Sequence, residues 1–96
     1  MAELTLRSPR GRSLKPLVEA ALQNEHRILQ AGIRRSQQRL QELEIRYGLS
    51  TDEFLQRYED NQIEEALEFS EWIGEYRMLE RLKEKAQALQ EVEFAD

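Results

Sequence analysis

The sequence predicts an all-α protein: an antiparallel hairpin of long helices with a short helix at the bend, completed by oligomerisation. Three observations lead there. Apolar residues recur at spacings of three and four along two long stretches, the mark of amphipathic helices. Only two prolines and four glycines interrupt the 96 residues, and the 40% hydrophobic and 34% charged composition suits solvated helices with apolar seams. Between the stretches, Glu44 to Phe54 reads as a helix stop followed at once by a helix start. A chain this short encloses little core, so its seams are expected to seek a partner.

In chain order, Ala2 to Arg7 alternates, with Leu4 and Leu6 on one side, which predicts a short strand. Residues 1–13 form a basic tail expected to be mobile, with a breaker-rich segment from Ser8 to Arg12. Ser13 is the expected N-cap of the first helix, over 14–47, and Pro16 fits a first turn, where its missing N–H has no helical partner. The first seam runs through Leu14, Leu17, Val18, Ala21, Leu22, Ile28, Leu29, Ile33, Leu40, Leu43 and Tyr47. Gly32 and Ser36 thin it, which is compatible with close backbone approach, a bend or a weak point.

Gly48 has no Cβ to oppose the left-handed conformation that closes a helix, and Leu49 is placed to fold back onto Leu43. Ser50 and Glu53 have the spacing of a reciprocal capping box, with Leu49 and Phe54 as its hydrophobic staple. The second helix covers 51–59 and presents Phe54, Leu55 and Tyr58 as a cap on the hairpin end. Asp60 to Gln62 reads as a turn. The third helix, over 64–90, carries the most aromatic stripe, with Phe69, Trp72, Ile73 and Tyr76, and Glu91 to Asp96 are expected to fray. The helical domain spans 14–92.

Zero cysteines exclude disulfides, cysteine zinc sites and thiol catalysis. The first residues contain no signal-like apolar run and no stretch approaches the roughly 20 apolar residues of a membrane span, so the expectation is a cytoplasmic protein without membrane contact. Charge is uneven: residues 1–50 hold nine cations and five acids, residues 51–96 five and fourteen. Such bipolarity serves pairing within an antiparallel hairpin, or it offers one half to a basic partner and the other to an anionic one.

Candidate chemistry is sparse. Glu64, Glu68, Glu71 and Glu75 share a helical face, and Glu65 with Glu68 or Glu68 with Glu71 supplies the Glu-x-x-Glu half of a helical nucleotide pyrophosphatase's magnesium site. The matching Glu-x-x-Asp half is missing, leaving a solvated acidic face as the simpler account. His26 is the single histidine and lacks the Glu three residues before it that di-iron bundles use. Arg34, Arg35 and Arg39 invite comparison with helical chorismate mutases, without a register supplying the full set of cations. Arg7, Arg10, Arg12 and Lys15 are the possible nucleic-acid contacts, able to anchor a few phosphates; the alternative is a solubilising tail. The expectation is therefore no catalytic residue, no metal and no cofactor.

Arg46-Tyr47-Gly48-Leu49-Ser50-Thr51-Asp52-Glu53-Phe54, the acidic turn and Glu68-Phe69-Ser70-Glu71-Trp72 together resemble small prokaryotic antitoxins encoded beside toxin genes. The resemblance covers roughly residues 40–80. It implies a non-catalytic protein that covers a small basic toxin; the chain departs from the group in lacking a DNA-binding module. The alternatives are a self-associating helical scaffold and, third, a metal-dependent pyrophosphatase-like enzyme. Phe69, Trp72, Ile73 and Tyr76, rimmed by Glu68 and Glu71, are the expected partner surface, for a toxin or a second copy. Plain hairpin core is the other reading of Trp72.

Overall fold

A computed structural model describes residues 2–10 and 13–94 and contains three helices among them: α1, Lys15–Tyr47; α2, Thr51–Glu59; and α3, Leu67–Gln90. The turn at Gly48 sets this layout. Gly48 adopts φ 63° and ψ 30°, and the Gly48 and Leu49 N–H groups both bond the Glu44 carbonyl, closing α1. Ser50 takes an extended conformation and its Oγ accepts the Glu53 N–H at 3.1 Å, opening α2. One arm of the expected capping box is replaced. Instead of Glu53 reaching back to Ser50, the Glu44 carboxylate accepts the Thr51 N–H at 2.6 Å, so one residue holds both helix ends.

From that turn α3 runs antiparallel to α1. Arg46 meets Glu68 near the bend, Gly32 faces Leu82 midway, and His26 lies opposite Gln90 at the far end. The α1 seam narrows to Leu29, Ile33, Ser36, Leu40 and Leu43, alternating four and three apart as in a coiled coil. Trp72, Leu79 and Ala86 answer from α3 at seven-residue intervals. α1 is continuous through Gly32, and the use of that glycine is close approach: a Cβ there would stand 3.2 Å from Leu82 Cδ1. The result is a rod of 61 × 24 × 18 Å.

Three further expectations need correction. Residues 2–8 form no strand, because alternation without a neighbouring strand leaves the backbone groups unpaired; Leu4 and Leu6 are exposed. Leu14, not Ser13, occupies the N-cap of α1, with helical backbone and no side-chain cap, while Pro16 does sit in the first turn. Helix α3 starts at Leu67 rather than residue 64. A left-handed Asn61 (φ 55°) and an extended Ala66 carry the chain from α2 to α3, with Ile63 packed partly buried against the core. Beyond Gln90, the Glu91 and Val92 N–H groups still bond Gln87 and Leu89, and Phe94 lies 6.0 Å from Lys15 Nζ. Of the segment expected to fray, Glu91 to Asp96, the last two residues lie outside the described residues.

Candidate functional site

Aromatic residues gather where the three helices meet. Phe54 of α2 stacks on Trp72 with centroids 4.0 Å apart and planes 2° off parallel, Tyr47 stacks on the same indole at 5.7 Å, and Phe69 fits edgewise against Tyr47. The Trp72 Nε1–H donates to Thr51 Oγ1 at 3.1 Å, so its one polar atom is satisfied inside the core. Leu43, Phe54 and Trp72 are wholly covered. Trp72 is therefore hairpin core, and the anchor role expected of it has no surface to act through. Phe69, Ile73 and Tyr76 are half-buried around it and retain some surface.

At the margin of this cluster Glu68 joins α3 to the end of α1. Arg46 Nη1 donates to both carboxylate oxygens at 2.7 Å, and the Tyr47 hydroxyl donates to Oε1 at 2.6 Å. The Tyr47 and Arg46 hydrogen bonds hold the Glu68 carboxyl below the usual carboxylate range. The same Glu68 contact raises the Tyr47 phenol and the Arg46 guanidinium. Part of the charge asymmetry between the two chain halves is thus spent within the hairpin. Glu71 is more loosely held, with Arg39 Nη2 at 3.8 Å, a distance for charge attraction but not a hydrogen bond.

No protein-family model, curated protein or solved structure matches this chain.

The remaining residues singled out from sequence fall in three places. Arg7 and Arg10 lie in the exposed segment before α1, Lys15 is the first residue of α1, and Arg12 lies outside the described residues. Arg34 and Arg35 are exposed, whereas Arg39 approaches Glu42 at 3.5 Å as well as Glu71, so the three cations do not share one environment. Among the described residues no group of three or more His, Cys, Asp or Glu has metal-binding geometry, and Glu68 of the acidic row is already engaged. His26 is half-buried in a cleft of about 360 Å³ near the open end, beside Leu22, Leu89, Gln90 and Phe94. No helix among the described residues is long and apolar enough to cross a membrane.

Sequence reasoning missed Thr51 as the partner of Trp72 and Tyr47 as the partner of Glu68. Both contacts span about twenty residues and depend on the hairpin register, which no local signal encodes. It also passed over the outer stripe of α3, where Met78 is 48% exposed between Gly74 and Arg81, although its charge pattern is plain in the sequence.

Proposed function

We propose that this chain is a non-catalytic protein–protein interaction module, antitoxin-like in covering a small basic protein. What supports the reading is the sorting of charge along the rod. The bend half, residues 39–75, holds eleven acids and three cations, and two of those cations, Arg39 and Arg46, already face Glu71 and Glu68. The helical residues of the open half, 15–38 and 76–90, hold eight cations and four acids. Asp52, Glu53, Glu59, Asp60, Glu64 and Glu65 are all exposed on α2 and the loop after it, forming a field that steers a cationic partner.

The test is co-expression with the product of a small basic reading frame beside this one. The expected result is a stoichiometric complex that relieves growth arrest and weakens as salt rises. Replacing Asp52, Glu59 and Asp60 by their amides should slow association while leaving helicity intact. Unrelieved growth arrest and no complex at low salt would overturn the reading. A second reading, a self-associating helical scaffold, is favoured by a stripe of α3 that turns outward from the hairpin, where Met78 is exposed.

A further inference from the structure

Helical spacing places Glu71, Gly74, Glu75, Met78, Arg81, Leu82 and Lys85 on one stripe of α3. The stripe borders the α1 seam, since Leu82 touches Gly32 and Glu71 approaches Arg39, and from there it turns outward to Met78. Its charges are antisymmetric about Met78. Acids stand seven and three residues before it, at Glu71 and Glu75; cations stand three and seven residues after it, at Arg81 and Lys85. Small and large side chains are matched in the same way, with Gly74 four residues before Met78 and Leu82 four after.

Within one chain this arrangement is unfavourable. Glu71 with Glu75 and Arg81 with Lys85 are like charges one helical turn apart, which repel. Among the described residues Glu75, Arg81 and Lys85 form no ion pair. Gly74 lowers helix propensity, yet nothing in its own chain lies within 4 Å of a Cβ placed there. At Gly32, by contrast, a Cβ would stand 3.2 Å from Leu82 Cδ1.

We infer that α3 pairs with α3 of a second copy of this chain, antiparallel and two-fold symmetric about Met78. A two-fold axis there sets every residue before Met78 against its counterpart after it. Glu71 then faces Lys85 of the other copy, Glu75 faces Arg81, and Leu82 lies over Gly74, where the missing side chain admits it. Both like-charge repulsions become attractions across the interface, and Met78 meets its own copy at the centre. The reverse, parallel alignment would set acids on acids and cations on cations, so the charge pattern also selects the orientation. Residues 52–65, which carry the acidic field of the bend, take no part, so the pairing stands or falls independently of a basic partner.

Because the chain contains no cysteine, Met78→Cys introduces a single thiol at the proposed axis. Under mild oxidation that variant should convert to a disulfide-linked dimer, whereas Gln87→Cys, on another exposed side of α3, should form no covalent dimer. In sedimentation the unmodified chain should be a dimer at micromolar concentration, weakened by salt. The double change R81E/K85E should leave a helical monomer, and adding E71K/E75R, which restores opposite charges with reversed polarity, should recover the dimer. A wild-type monomer throughout the micromolar range would overturn the pairing. So would equal cross-linking of the two cysteine variants, or an oligomer indifferent to the charge reversal. The four-charge swap leaves net charge and the acids of residues 52–65 unchanged, so binding of a basic protein to that field is measured separately on the same variants.

Discussion

At the bend, Leu43, Phe54 and Trp72 have no exposed surface, the indole N–H is satisfied by Thr51, and both helix ends are capped. At the open end α1 begins without a side-chain cap, Leu17 is 66% exposed, and a cleft of about 360 Å³ separates Leu22 and His26 from Leu89 and Phe94. The difference follows from length. α1 has 33 residues and α3 has 24, and since Gln90 lies opposite His26, the first turns of α1 extend past the end of α3. The hairpin is therefore packed most completely at one end: the bend fixes the register, and burial declines toward the first turns of α1.

The change that tests this most severely is Trp72→Ala. It removes the stack on Phe54 and opens a cavity where three helices meet, with an expected loss of about 3–5 kcal/mol, much of the stability available to a domain of this size. Denaturant unfolding should show both ends melting together. Persistence of α1–α3 protection in hydrogen exchange would instead mean that the far half of the seam stands without the bend. Thr51→Val is the finer probe of the same site, because it keeps the shape and strands the buried indole N–H. A loss of about 1–3 kcal/mol is expected, with near-ultraviolet circular dichroism reporting the changed tryptophan environment.

The opposite sign is expected at the open end. The α1 core series runs through Leu22, His26, Leu29, Ile33, Ser36, Leu40 and Leu43, so His26 occupies a seam position. Its polar contacts, to Gln30 at 3.5 Å and Gln90 at 3.4 Å, are long. His26→Leu should therefore stabilise by about 1 kcal/mol through added apolar burial, seen as a higher denaturation midpoint. A destabilised variant would show that the weak end is held by those amide contacts rather than left loose by them.

The two ends also differ in how far the sequence revealed them. α1 ends at Tyr47 and α2 spans 51–59, as expected, because Gly48 and the Ser50–Glu53 pair are signals complete within a few residues. The local pattern puts the start of α3 three residues early, since Glu64 and Glu65 favour helix locally while the path from Asn61 to α3 runs through an extended Ala66. The stripe with Trp72 carried no mark separating core from partner surface; α2 folding over it decided the matter, a tertiary event. Glu68 was legible as acidic but not as the partner of Arg46 and Tyr47, because the hairpin register sets those meetings.

The smallest expected effect concerns that carboxylate and separates packing from charge at the bend. Glu68 is held below the ordinary carboxylate range by the Tyr47 hydroxyl and the Arg46 guanidinium. A carboxyl depressed in the folded state contributes stability above its unfolded value, and that contribution disappears as pH falls through the folded value. Glu68→Gln should then lie slightly below the wild type in melting temperature at neutral pH and converge with it under acidic conditions. The contact is partly solvated, so added salt should narrow the neutral-pH gap as well. Tyr47 supplies a control of opposite sense: its phenol is raised by the same bond, so the stability it carries is lost only as pH rises through its elevated folded value. A gap constant from neutral to acidic pH would assign the tie between α1 and α3 to the aromatic stack alone, making the ion pair a bystander of the register that Phe54 and Trp72 impose.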